Sequence, residues 1–199
     1  LKWHYQTTPA ENWDYTATQH IILAELPVGG KTRKVLMQAP KNGFFYVLDR
    51  VTGELLSADK FAPVTWASHV DLKTGRPVET EIANYSRETR LIVPAPLGAH
   101  NWHPMAYNPG TGLVYIPAMQ QMFPYALSAD FKETGQFRRR DMFWNPGVDW
   151  NAALDATVAL LEQFGGELPP DRGYLKAWDP KQKKTVWEIE HPAFWNGGL

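Results

Sequence analysis

Short apolar runs, each closed by a turn signal, constrain this chain more than any other feature. Lys34-Val-Leu-Met-Gln38 and Phe44-Phe-Tyr-Val-Leu48 read as strands, separated by the turn Ala39-Pro-Lys-Asn-Gly43. The second run ends in Asp49-Arg-Val-Thr-Gly53, a typical turn between antiparallel strands. Leu113-Val-Tyr-Ile116 follows Asn108-Pro-Gly-Thr-Gly112. Leu175-Lys-Ala-Trp178 leads through Asp179-Pro-Lys-Gln-Lys183 into Thr185-Val-Trp-Glu188. A series of hairpins at long, irregular intervals predicts an antiparallel all-β fold.

A weak repeat lies beneath the series. Val47-x-Asp49-x3-Gly53, Ala106-x-Asn108-x3-Gly112 and Ala177-x-Asp179-x3-Lys183 share one frame. Trp187 follows the third frame by four residues, and Trp3 has a similar setting in Leu-Lys-Trp-His. A small apolar residue, an Asp turn and a later Trp can fasten one propeller blade to the next, with the indole N–H donating to a backbone carbonyl. Successive frames lie about 60 and 70 residues apart, longer than the ~40–50 of common propeller repeats, so each unit would carry long loops. On pattern alone, three ordinary Asp-turn hairpins in a sandwich fit equally well.

Two stretches break the β pattern. Residues 60–104 are rich in Pro and turn residues and read as long loops over a surface. Residues 151–164 form the one good helix candidate, with Asn151 as its cap, Leu154, Val158 and Leu161 as its apolar face, and Gly165-Gly166 as its stop.

Composition excludes several classes. With 20 Lys+Arg against 21 Asp+Glu, the net charge of -1 gives no electrostatic argument for nucleic acid or an anionic membrane. A 44% hydrophobic content is too apolar for a disordered chain. There is no Cys, hence neither a disulfide framework nor a thiolate metal site. No run approaches the ~18 apolar residues of a membrane span. Leu1-Lys-Trp-His-Tyr5 reads as a strand already under way, and Gly197-Gly198-Leu199 as the start of another, so both ends are expected to be cuts. Nothing suggests a linker, so residues 1–199 are read as part of one domain.

No phosphate-binding, zinc-protease or serine-hydrolase motif is present. His100-x-x-His103 has metal-pair spacing, although two His in a Pro-flanked loop are more often structural. Asn84-Tyr85-Ser86 fits the glycosylation pattern, which occurs often by chance, and Arg138-Arg-Arg140 reads as a solvated loop face.

Three clusters stand out. Pro9-Ala-Glu-Asn-Trp-Asp-Tyr15 places the Asp14 carboxylate between two aromatics, whose walls would exclude water and raise its basicity. The plain alternative is an Asp capping a loop. Ala39-Pro-Lys-Asn-Gly43 puts Lys41 at a tight turn, either meeting an anionic or carbonyl-bearing ligand or simply exposed. Gly98-Ala-His-Asn-Trp-His-Pro104 mixes small residues, an amide and an indole, suited to a flat polar ligand or to a packed aromatic loop.

Together these clusters resemble one family. Trp13-Asp-Tyr15, Gln38-Ala-Pro-Lys-Asn-Gly-Phe-Phe-Tyr-Val-Leu-Asp-Arg50 and Gly98-Ala-His-Asn-Trp102 look like the quinoprotein and quinohaemoprotein alcohol dehydrogenases, which depend on pyrroloquinoline quinone (PQQ). Leu175-Lys-Ala-Trp-Asp-Pro180 and Trp195-Asn-Gly-Gly198 match later segments in the same order, and the likeness is loosest at about 120–172. It implies an internal piece of an eight-bladed β-propeller, about three four-stranded blades by length, with PQQ and Ca²⁺ near the axis. It implies oxidation of alcohols to aldehydes or ketones. Asp14 would be the catalytic base and a metal ligand, and Lys41, Asn101, Trp102 and Trp195 would contact PQQ. The family's remaining metal ligands would lie outside this chain, and so would any haem c. A small alcohol, a cytochrome c or other electron acceptor, and a periplasmic location are implied too. The site residues should converge at one end of the blades. Thr16, two positions after Asp14, stands where lanthanide-using relatives carry a second aspartate, which points to calcium. The rival readings are a non-enzymatic scaffold propeller and a sugar-oxidising PQQ dehydrogenase.

Overall fold

The apolar runs form strands, twelve of them among the residues described in the computed structural model, 1–129, 131, 147–163 and 170–199. β1 (Ile22–Val28), β2 (Lys31–Gln38), β3 (Phe44–Asp49) and β4 (Leu55–Lys60) form an antiparallel meander in sequence order. A ribbon of β5 (Ala67–Asp71) and β6 (Arg76–Glu79), a 3₁₀ turn at Glu81–Ala83 and β7 (Arg90–Ile92) follow. β8 (Ala106–Asn108) and β9 (Leu113–Gln120) begin a second four-stranded sheet. β10 (Phe123–Tyr125) leaves it to pair with β7, and the helix α1 (Trp150–Gln163) follows. β11 (Arg172–Asp179) and β12 (Lys184–His191) then complete that sheet, in the order β12-β11-β9-β8. The chain is therefore an all-β array of open antiparallel sheets with one helix in a connection.

β3 explains the arrangement. All six of its residues are buried, so each of its faces has its own core. Phe45 and Val47 join Val35, Met37, Val114, Ile116 and Trp178 between the two four-stranded sheets, with the Phe45 and Trp178 rings 5.6 Å apart. Phe44, Tyr46 and Leu48 point the other way, into Trp13, Tyr15, Trp66, Ile92 and Tyr125. Side chains alternate along a strand, which makes this two-sided use possible.

The Asp frame is a structural unit. Each turn closes with the backbone N–H of its fifth residue donating to the carbonyl of its first, Gly53 to Asp49, Gly112 to Asn108 and Lys183 to Asp179, at 2.7–2.8 Å. The side-chain oxygen of the Asp or Asn accepts the N–H groups two and three residues on. The fifth residue has positive φ in each, which glycine tolerates and Lys183 adopts at φ 58°. A β-bulge precedes the turn at Val47/Leu48 and again at Ala177/Trp178. Asp71–Gly75 forms a fourth such turn, missed because His69 stands where the frame has a small residue. Trp3 lies over Gly53 and donates to Arg50 O at 3.2 Å, as the blade-fastening role requires. Trp187 instead packs on Tyr115 at 5.8 Å.

Several expectations are corrected. Residues 60–104 are not loops over a surface: Trp66 and Ile92 are fully buried, and Ala67, Val70 and Ala83 join them in the second core. The cap of α1 is Asp149, whose Oδ1 accepts from the N–H groups of Asn151 and Ala152 at 3.0 Å. Leu154 is 65% exposed while Ala153 is buried, so the buried face of α1 is not the expected one. The side chains of Val158 and Leu161, the Gly165-Gly166 stop and Arg138–Arg140 lie outside the described residues. Residues 1–5 and 197–199 carry no strand.

Candidate active site

The rings of Trp13 and Tyr15 are buried in the core, and the Asp14 side chain between them emerges toward solvent. Both rings are buried and stack at 5.7 Å above Trp66. The Asp14 side chain is 62% exposed. The expected aromatic walls therefore do not enclose this carboxylate; they form its floor, within the core.

The flanking backbone is held from several directions. Trp13 Nε1 donates to Ala83 O at 3.0 Å, Tyr125 Oη to Trp13 O at 2.8 Å, Tyr85 Oη to Asn12 O at 2.6 Å and Tyr15 Oη to Pro94 O at 2.5 Å. Burial, with a smaller contribution from the Glu11 charge, pushes the Tyr15 and Tyr85 phenols up, so they remain neutral donors. Glu11 Oε1 accepts the N–H of Trp13 at 2.5 Å and of Tyr15 at 2.7 Å. Between those two bonds Asp14 adopts φ 66°.

Lys41 is not an exposed turn lysine. Only 9% of its side chain is accessible, and its Nζ lies 3.1 Å from Asp14 Oδ2. Its turn is fastened on both sides. Asn42 is fully buried, donating to Thr7 O, Thr8 Oγ1 and Tyr46 Oη and accepting from Phe44 N. Ala99 N donates to Lys41 O at 2.9 Å. Gly98, at φ 86°, lies so close that an added Cβ would meet Lys41 Cβ and Cγ at 2.5 Å.

The Asn101 loop thus abuts the Lys41 turn. The Asn101 amide is partly committed to its own loop, Nδ2 donating to Leu97 O and Oδ1 accepting from Trp102 N, each at 2.8 Å. Trp102 is 66% exposed and meets Trp195 edge-on at 5.2 Å; His103 lies 4.6 Å from Trp195. The two Trp that the sequence assigned to one ligand therefore stand together, 93 positions apart.

The His100 ring is structural. The ring nitrogens of His100 face Ala39 O at 2.6 Å and His103 O at 2.7 Å, tying the Lys41 turn to the Asn101 loop. Burial pushes the His100 imidazole down, against the pull of those two acceptors. No group of three or more His, Asp or Glu able to hold a metal occurs among the described residues. Asp14 is the exposed carboxylate beside Lys41 among the described residues. A buried ammonium, an open carboxylate and two exposed indoles fit a flat, oxygen-rich, anionic ring system with a cation beside it. Sequence reasoning missed Glu11 and Gly98 in these roles, although both stand inside the motifs it singled out, and its structural reading of His100 agrees with these bonds.

A PQQ family model, described as a glucose/ethanol/alcohol dehydrogenase β-propeller domain, matches residues 1–71. Quinohemoprotein alcohol dehydrogenase ADH IIB of Pseudomonas putida is 50% identical over 198 residues, 100% of this chain and 26% of its own length. The 1-butanol dehydrogenase (cytochrome c) of Thauera butanivorans is 44% identical over 98% of this chain and 27% of its own length. The crystal structure of quinohemoprotein alcohol dehydrogenase from Comamonas testosteroni superposes with a TM-score of 0.83 at 43% identity, over 99% of this chain and 28% of that one. A europium-containing methanol dehydrogenase gives 0.72 at 28% identity, over 96% and 31%. This chain spans about a quarter of the length of the curated relatives it matches.

Proposed function

We propose that this chain, similar over its whole length to the quinohaemoprotein alcohol dehydrogenases, is a segment of the catalytic propeller of a PQQ-dependent alcohol dehydrogenase. The observation that carries the reading is the pairing of an open Asp14 carboxylate with a buried Lys41 ammonium at 3.1 Å. It lies beside the loop of Asn101 and Trp102. A scaffold propeller has no use for a lysine held out of water against a single exposed carboxylate.

Bound PQQ, with a hard cation beside it, supplies the two-electron acceptor that no side chain here provides. Asp14 accepts the hydroxyl proton of the alcohol, leaving an aldehyde or ketone once the carbon-bound hydrogen is also lost. General-base help of this kind is worth ~10²–10⁴-fold. Lys41 holds an anionic oxygen through its ammonium, and its low accessibility strengthens that attraction relative to bulk water. Trp102 and Trp195 offer indole faces to a flat ring, and Asn101 keeps one N–H and one lone pair for the ligand after its two loop bonds. The cation is Ca²⁺ on this reading, because Thr16 adds no second carboxylate. Electrons pass on to a cytochrome c, through haem c in another part of the protein or from a partner, and the setting is the periplasm.

Asp14→Asn tests the base role, because the amide cannot take the proton. The full-length protein should keep PQQ and lose at least ~10²-fold in alcohol turnover. Lys41→Ala should weaken both PQQ retention and turnover. Near-normal turnover by a metal-loaded Asp14→Asn protein removes Asp14 from the role.

A further inference from the structure

We infer that Glu11 is the positioning residue for Asp14, its carboxylate setting the backbone conformation that aims the Asp14 side chain at Lys41. This rests on the proposed function in one respect, that Asp14 acts on substrate.

The geometry is local and specific. One oxygen, Glu11 Oε1, accepts N–H groups from the residue before Asp14 and the residue after it, at 2.5 and 2.7 Å. Those two donors lie on the peptide units before Trp13 and after Asp14, so a shared acceptor draws together the two ends of the Trp13–Asp14 pair. The pair between them is thereby bent, and within it Asp14 is found at φ 66°, a region that residues other than glycine enter at a cost. Hydrogen bonds to a charged acceptor are among the stronger ones and can offset that cost. The bend turns Asp14 away from the buried rings of Trp13 and Tyr15 and toward Lys41 Nζ.

The other restraints on this loop do not replace Glu11. The bonds from Tyr85, Tyr125 and the Trp13 indole hold the carbonyls of Asn12 and Trp13 and the Trp13 ring. Tyr15 Oη holds Pro94. They locate the segment in the core, whereas Glu11 supplies the acceptor for the two amides that bracket the Trp13–Asp14 pair. Glu11 is itself only half-buried, so removing it leaves no large void.

Two variants and two readouts test this in the full-length protein. Glu11→Ala removes the acceptor; Glu11→Gln keeps an amide oxygen in the same place. The first readout is independent of catalysis: hydrogen exchange by mass spectrometry on peptides covering Trp13 to Tyr15, in protein free of metal and PQQ. Exchange should quicken roughly 10- to 100-fold in Glu11→Ala and stay within about threefold of the parent in Glu11→Gln. The second is a cycle with Asp14→Asn. Glu11→Ala alone should lower kcat roughly 10- to 100-fold, as a misplaced base does, and Glu11→Gln should largely keep it. In the Asp14→Asn background Glu11→Ala should cost nothing further, since it acts only through Asp14. Unchanged exchange in Glu11→Ala overturns the inference, and so does a full additional loss in the double variant. Near-normal turnover in Asp14→Asn alone overturns the proposed base role instead, and leaves the exchange arm to judge Glu11.

Discussion

Gly98→Ala puts a single methyl group against the backbone of Lys41, and its cost can be worked from the structure. The new Cβ would lie 2.5 Å from Lys41 Cβ and Cγ and 2.6 Å from its Cα. Carbon atoms rest at roughly 3.5–4.0 Å, so the two segments must part by roughly 1 Å or more. Because one of the atoms struck is a Cα, no rotamer change relieves it. Overpacking of this kind costs about 1–3 kcal/mol, and φ 86° adds about 1–2 kcal/mol for any residue with a Cβ. Gly30→Ala is the control: at φ 77° it carries the same backbone cost, and its Cβ would meet nothing within 4 Å. Urea unfolding should show Gly98→Ala less stable than Gly30→Ala by about 1–3 kcal/mol, the steric part alone. Turnover should separate the two further. A displacement of ~1 Å at Lys41 would break its 3.1 Å bond to Asp14, and misplacement on that scale costs ~10²-fold. Equal losses in the two variants, or normal turnover in Gly98→Ala, would refute the claim that this glycine sets the Lys41 position.

Two further outcomes are expected. The Arg33 guanidinium first, then the Thr52 N–H, hold the Asp49 carboxyl down to about 2 from its usual 3.8. The folded state gains stability from that ionised group at pH above about 4 and loses it as pH falls from there to about 2. The wild type should therefore take up one more proton on unfolding near pH 3 than Asp49→Asn does, read as a steeper fall of the urea midpoint with acid; parallel curves would sink this. Reconstituting metal-free full-length protein with PQQ and either Ca²⁺ or La³⁺ should restore turnover with Ca²⁺, and restoration by La³⁺ alone would show that Thr16 does not decide the metal.

What the sequence revealed, and what it hid, follows from the range of the forces involved. β2, β3, β9, β11 and β12 were legible because apolar runs and Asx turns are set by residues a few positions apart. β7 and β10, three residues each, have too few positions to display a period, and only their pairing across the fold reveals them. Trp66 looked like part of a Pro-rich loop because its burial depends on Trp13 and Tyr15, some fifty positions away. Leu154 and Ala153 are both acceptable on an apolar helix face, and only tertiary packing decides which is buried. At the site, Asp14, Lys41, Asn101, Trp102 and Trp195 were legible as residue types, by resemblance. The 3.1 Å approach of the first two and the side of the segment on which Asp14 emerges were not, since both depend on how Glu11 and Gly98 bend backbone.

The turn holding Lys41 opens β3, and the Asp49–Gly53 turn closes it. The loop of Asn101 likewise opens β8, and the Asn108–Gly112 turn closes it. The candidate site residues Lys41 and Asn101 and the Asx turns therefore lie on opposite rims of the array. A protein engineer can treat the two rims as separate territories. A short reporter peptide spliced into the exposed turn at Lys181–Gln182 would sit a strand length from the candidate site.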